Sequence, residues 1–313
     1  MPEAPFVIIP EYSAIAIGLP NEEGIADEVA PRVPTSKPIF NWEEYDLNEQ
    51  YVVQDDVVGR TSAPNQIETT STRKQAEVID RGLDYLVPQV DVDAAEPGQD
   101  PLARGVMLTS KRVQNNREKR VADVVMNPAT YPAGQVTTLV NATDRFNDFT
   151  NSDPIGVITT LLSGMARRAN YMAIGRAGWD ILKRHSKLIN AITGQAGVTN
   201  GVARREAIAD LLEIEGILVG ESWINTAAKG QAPVRARAWG GTNISFFYKS
   251  PLGALTQGEA TFMLTAQWGQ RIAGLVPDPD IGLRGGQKVR SGESVKEIVV
   301  ANVCGAMIEN AFA

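Results

Sequence analysis

A single histidine, His185, and a single cysteine, Cys304, stand in 313 residues. With so few ligands no HExxH pair, CxxC motif or His/Cys zinc set can be written. No intrachain disulfide can form either. Aromatic residues are only 6% of the chain. No apolar run reaches the ~18 residues of a membrane span. The first residues carry Glu3 and Glu11 and several prolines without a basic stretch, so they do not read as a secretory signal. A formal net charge of −7 argues against tight general nucleic-acid binding.

The residues that could carry chemistry have plainer readings. His185 closes the run Lys183-Arg184-His185 and is expected to be a cation capping a helix C-terminus. Cys304 sits among small and apolar residues and is expected to be a buried, inert thiol. The carboxylate pairs Asp278/Asp280, Asp55-Asp56 and Glu43-Glu44 fall in proline turns or solvated strands without a partner motif. The stretch 282–287 (GLRGGQ) is glycine-rich but lacks the Lys-Ser/Thr of a phosphate loop, so it reads as a turn. Asn141-Ala-Thr and Asn243-Ile-Ser match the glycosylation tripeptide and carry no weight without a secretion signal. No catalytic, cofactor-binding or metal-binding residue is expected.

What is present is architecture. The longest element spans Asp100 to Met126. Asp100-Pro101 is an acidic cap followed by proline at the first helical position. Leu102, Val106, Val113, Val121, Val124 and Val125 follow at helical spacing, and Asn127-Pro128 stops the run. At ~1.5 Å per residue this helix would run about 40 Å. Its middle carries Lys111, Arg112, Arg117, Lys119 and Arg120, which reads as a solvated face rather than a DNA-groove reader.

Before it, prolines punctuate residues 1–38, implying an extended arm with one short helix near Glu22–Val29. Residues 39–90 read as long strands, with Tyr51, Val52, Val53, Val57 and Val58 in one, a turn at 59–65, and a polar strand from Gln66 to Thr72. Such a ribbon is marginal alone. Val87 to Pro97 reads as a connector. After the long helix, Gln135 to Val140 is strand-like. Asn151-Ser152-Asp153-Pro154 is a second acidic cap, opening a helix over 154–168 with Ile155, Ile158, Leu161, Leu162 and Met165 on one face. Asn170–Ile174 reads as a strand, 175–185 and 204–213 as helices, and 216–219 as a buried strand. This is the best candidate for a compact α/β core. Residues 244–248 and 259–273 look strand-rich, and Ser294 to Ala306 reads as a final buried strand.

Arm, ribbon, strut and core are each poorly satisfied in a monomer. At this point the chain resembles a known family, the major capsid proteins of tailed double-stranded DNA phages, in particular Mu-like viruses, with the Hong Kong 97 fold. The likeness rests on 25–34 (IADEVAPRVP), 58–66 (VGRTSAPNQ), 82–88 (GLDYLVP) and Asp153-Pro154-Ile155. It continues through 174–179 (IGRAGW), 205–223 (REAIADLLEIEGILVGESW), 225–232 (NTAAKGQA) and 266–269 (AQWG). The stretches 277–287 (PDPDIGLRGGQ) and 292–302 (GESVKEIVVAN) complete it. None is diagnostic alone; their order and coverage carry the match.

The resemblance implies an α+β, Hong Kong 97-type capsid fold. Residues 1–38 would be the N-terminal arm and 39–92 the extended β-hairpin loop. Residues 93–152 would open a peripheral domain with a spine helix at 101–126. Residues 153–243 would form the α/β axial domain, 244–293 the peripheral β return, and 294–313 the C-terminal strand of the axial domain. The partners implied are further copies in pentamers and hexamers, a portal protein, a separate scaffold protein, a decoration or minor capsid protein, and packaged DNA as non-specific content, with no membrane. The place implied is the virion capsid, assembled in the bacterial host cytoplasm. A Lys–Asn crosslink, known in some relatives, is not expected. The rival readings are an encapsulin-like shell around enzyme cargo, a soluble α/β enzyme, and a tail or fibre component.

Overall fold

The computed structural model describes residues 6–19, 24–45, 52–53, 55–66, 71–195, 197, 201–228, 230–251 and 260–313. In chain order it contains β1 (Val7–Ile8), α1 (Pro10–Gly18), α2 (Ala26–Val29), β2 (Arg32–Thr35), β3 (Ile39–Tyr45), β4 (Ser71–Glu77) and β5 (Ile79–Pro88). Then come α3 (Gln89–Asp93), α4 (Pro101–Val125), β6 (Val136–Thr138), α5 (Pro154–Ser163), β7 (Tyr171–Gly175), α6 (Arg176–Leu182), α7 (Ser186–Thr193) and α8 (Arg205–Leu212). Strands β8 (Gly216–Gly220), β9 (Trp223–Asn225), β10 (Arg235–Arg237), β11 (Ile244–Phe247), β12 (Met263–Trp268), β13 (Ile272–Asp278), β14 (Gly286–Val299) and β15 (Gly305–Glu309) complete it.

Two sheets divide the molecule. The first is organised on β14, whose alternating pattern buries Val289, Ser291, Glu293 and Val295 on one face, as strand periodicity requires. Residues 286–292 of β14 pair antiparallel with both β13 and β5, so those two strands flank it. Residues 295–299 pair with β12, which carries β2 in parallel, and β1 extends the sheet beyond β13. The second sheet has the order β6-β15-β11-β7-β8. Helices α5, α7 and α8 help bury Met172, Ile174, Phe246 and Ile308 against it.

Helix α4 lies along the first sheet and reaches the second. The Asp100 side chain accepts the Leu102 N–H at 2.8 Å, so the expected cap is formed. Its buried residues recur in pairs four apart: Gly105/Val106, Thr109/Ser110, Val113/Gln114, Arg117/Glu118 and Val121/Ala122. That is one face of an α-helix, but half of it is polar. At Gly105 the helix approaches β14 so closely that an added Cβ would stand 3.0 Å from Val289 Cγ2.

Several expectations are corrected. The arm is not simply extended: Pro10 starts helix α1, which buries Ala16 against Ala273, Val289 and Val106. The prolines misled because one at the first helical position starts a helix rather than breaking it. The short helix is α2, and Glu22 and Glu23 lie outside the described residues. The hairpin strands are β3 and β4; Val52, Val53, Val57 and Val58 lie in no strand, and Tyr51 and 67–70 lie outside the described residues. Residues 79–88 belong to the first sheet rather than to the hairpin. The expected strand at 294–306 is divided: β14 ends at Val299, a 3₁₀ turn spans Asn302–Cys304, and only Gly305–Glu309 joins the second sheet. Strand β11, placed with the β return, also pairs in the second sheet. Helix α5 stops at Ser163, short of the expected 168, and the Asp153 side chain makes no cap bond. Helix α7 was not foreseen.

Candidate assembly surfaces and the buried charge cluster

Among the described residues, those singled out as possible chemical groups do not converge. His185 is fully buried and lies before α7 rather than at an exposed helix end. Its Nδ1 accepts the Lys187 N–H at 3.3 Å, and its Nε2 stands 3.0 Å from Ser152 Oγ. Ser152 Oγ in turn donates to the Asp148 carbonyl at 2.6 Å. Burial, and then the Lys187 charge, hold the imidazole below its ordinary pKa, so it is a neutral N-cap. The expected capping cation is therefore overturned. Cys304 is buried, and burial pushes its thiol up to about 11, which leaves no thiolate near neutrality.

Asp278 pairs with Lys288 at 2.5 Å and accepts the Asp280 N–H at 3.0 Å, closing the β13–β14 turn. In that turn Gly282 and Gly285 take φ of +63° and +72°, which explains the glycines of 282–287 without a phosphate. Asp55 accepts the Val57 N–H at 3.1 Å. The side chains of Glu43 and Glu44 lie outside the described residues. Asn141 bonds Asp144 in a turn, and Asn243 joins Met126 to Asn310. No group of three or more metal-binding side chains occurs among the described residues.

Among the described residues, a buried cluster of charge on α4 was not legible. Arg117, read as part of a solvated face, is 2% exposed. Its Nη1 donates to Asp27 at 2.6 Å and its Nη2 to the Ala30 carbonyl and Thr265 Oγ1, both at 3.0 Å. Asp27 also accepts from Arg32 at 2.8 Å. Arg32 and Arg271 both donate to Glu293 Oε2, at 2.8 and 2.9 Å. Burial alone would raise the Glu293 carboxyl; Arg32 and Arg271 outweigh it and hold it below the usual range. Burial opposes ionisation of Asp27 as well, and Arg117 and Arg32 overcome it. The neighbouring Glu118 accepts the Ile25 and Ala26 N–H groups at 2.7 and 3.1 Å and the Trp239 indole N–H at 2.6 Å. This cluster is structural: it joins the N-terminal segment, the long helix and the first sheet.

Several large apolar side chains are exposed among the described residues. The β3–β4 hairpin is docked at its base, where Phe40, Trp42 and Ala76 meet Leu264 and Ile298. Beyond that base Val53 is 96% and Val57 78% exposed. A cleft between β5 and the start of α4 is lined by Tyr85, Leu86, Pro101, Arg104 and Met107, and Leu86 and Met107 are about half exposed. On the small β9–β10 ribbon the Arg237 guanidinium lies 3.6 Å over the half-exposed Trp223 ring.

No family model matches the chain. The major capsid protein of Pseudomonas phage JBD67 is 44% identical to it over 313 residues, covering 100% of both chains. The major capsid protein of Burkholderia phage BcepMu is 29% identical over 228 residues, 69% of each chain. Among solved structures, a phage-related protein from Bordetella bronchiseptica RB50 superposes with a TM-score of 0.74 at 19% identity, covering 98% of this chain and 99% of that one. The capsid structure of cyanophage P-SCSP1u gives a TM-score of 0.59 at 12% identity, covering 91% and 88%. At those identities the structural likeness is one of fold.

Proposed function

Since the chain belongs to the major capsid proteins of phages and is a component of the virion capsid, we propose that it self-assembles into a closed icosahedral shell around a double-stranded DNA genome. The observation that carries the reading is full-length 44% identity to a phage major capsid protein. The exposed Val53 and Val57 beyond the docked hairpin base, and Leu86 and Met107 beside α4, support it as apolar side chains that a neighbouring subunit would cover.

In this reading the β3–β4 ribbon belongs to the extended loop, and α4 with the first sheet is the peripheral domain. The second sheet with α5 to α8 is the axial domain, clustering at five-fold and six-fold axes. The N-terminal segment, which packs on its own chain through α1 and β1, continues as the arm. The role is mechanical. Strength comes from many modest contacts summed over large interlocked interfaces. The net charge of −7 then keeps the wall from gripping DNA, since phosphate affinity comes mainly from Lys and Arg. A net-basic lumenal face would overturn that last point. Portal, scaffold and decoration proteins complete the assembly.

Electron microscopy of the purified chain, expressed with and without its neighbouring genes, tests the proposal. Closed shells of pentamers and hexamers are the expected outcome. A uniform monomer or small oligomer under every condition overturns it, and shells filled with an enzyme cargo in place of DNA overturn the genome-container reading.

A further inference from the structure

Helix α2 has only four residues, and no side chain of its own caps its N-terminus. An isolated helix of that length does not form in water. It exists because two consecutive residues of α4 bracket it. Glu118 receives the Ile25 and Ala26 N–H groups at its N-terminal end, and Arg117 donates to the Ala30 carbonyl at its C-terminal end. Carboxylate at the positive end and guanidinium at the negative end is the arrangement that favours a helix dipole.

Each bracketing residue also holds a second part of the molecule. Glu118 accepts the Trp239 indole N–H. Trp239 is buried with Phe247, Ala173 and Met307 of the second sheet. Arg117 donates to Thr265 of β12, in the first sheet. The segment runs on from α2 into β2: the Thr265 N–H donates to the Pro31 carbonyl at 2.8 Å, and β2 pairs with β12 from Arg32 to Thr35. Withdrawing 25–32 therefore removes partners from the buried charges of Glu118, Arg117 and Glu293, an expensive loss. Partial release gains little over complete release, so intermediate states are disfavoured.

We propose that residues 24–35 are a two-state strap, which docks on Arg117 and Glu118 as one unit, locks α4 to both sheets, and releases as one unit with the first sheet's β13–β14 pairing intact. Such a strap sets how rigidly the two sheets are held before subunits meet. It is the kind of discrete element through which a conformational change is transmitted.

Native-state hydrogen exchange on the unassembled, full-length chain tests this, independently of whether shells form. In the wild type the amides of Ile25, Ala26, Val29, Ala30 and Thr265 are expected to share one protection factor. Glu118→Ala lowers all five by about tenfold or more, as loss of hydrogen bonds to a charged group implies, and leaves Val276 and Arg290, whose amides face each other's strand in the β13–β14 ladder, unchanged. Glu118→Gln, which keeps the shape and one acceptor, gives the same pattern at smaller amplitude and serves if the alanine variant does not fold. Two results overturn the strap: loosening of 25–30 while Thr265 stays protected, or loss of β13–β14 protection together with it in both variants.

Discussion

Arg32 Nη1 donates to Glu293 Oε2 at 2.8 Å, and the Glu293 side chain is wholly out of solvent. The pair ties β2, at one end of the first sheet, to the middle of its central strand. It is not an exposed ion pair of small worth, because Glu293 has no access to water and Arg32 is only 20% exposed. Glu293→Ala is therefore expected to destabilise the subunit by ~1–3 kcal/mol, since it removes the carboxylate shared by Arg32 and Arg271 while Arg32 keeps Asp27. Equilibrium urea unfolding of the unassembled chain, read against the wild type at neutral pH, measures it. A loss below ~1 kcal/mol would show that the two arginines re-pair elsewhere.

Acid should weaken the fold in two steps. The His185 pKa is lowered in the folded chain from 6.5, so the folded state resists taking up a proton that the unfolded state accepts. Its contribution is complete above 6.5 and declines as the pH falls below that value. The Glu293 and Asp27 carboxyls are lowered from 4.5 and 3.8, so their contributions are complete above those values and are lost as the pH drops toward their folded values. A stability profile by urea midpoint from pH 8 to pH 3 checks the sign; a midpoint that rises on acidification contradicts it.

Gly220→Ala is expected to be destabilising by ~1–3 kcal/mol, the usual range for overpacking. An added Cβ at that position would stand 2.1 Å from Trp239 Cγ, which is buried with Phe247, Ala173 and Met307 of the second sheet. Trp239 must move, and its indole N–H leaves Glu118. The thermal midpoint and the tryptophan emission maximum report the two effects together; an unshifted midpoint would show that the site relaxes freely.

Replacing Val53 and Val57 by serine separates folding from assembly. Both side chains stand in solvent in the subunit, so stability should change by no more than ~0.5 kcal/mol. Assembly should fall severely if these valines are covered by a neighbour. Thermal unfolding and electron microscopy of the same preparations read the two quantities. Full shell yield from the double variant would remove these residues from the interface.

Much of the architecture could be read without coordinates, and the reasons are local. Asp100-Pro101 and Asn127-Pro128 punctuate α4 because capping and proline geometry act within a turn. Gly216–Gly220 is apolar and β-branched and is a buried strand of the second sheet. The turn at 282–287 follows from glycines that take positive φ.

What failed was long-range. The four-residue spacing that buries Arg117 and Glu118 is ordinary helical periodicity, but polar residues on that face cannot be told from solvated ones until their partners are known. Those partners, Asp27, Ala30, Thr265 and Trp239, lie up to 148 positions away. His185 follows a basic run, yet the chain turns there into α7, so its ring caps the next helix. The division of 294–309 between two sheets has the same origin: β propensity marks a strand but not the sheet it joins.

The amino-acid sequence by itself determined the long helix, the core strands, the scarcity of histidine and cysteine and the family resemblance. Each of these rests on composition, local capping or ordered motifs. Only the tertiary structure decided that β5 joins the first sheet, that the N-terminal segment is gripped by Arg117 and Glu118, and that the hairpin's valines stand uncovered. Those outcomes depend on which distant surfaces meet. Burial and charge pairing are properties of that meeting and belong to no single stretch of chain.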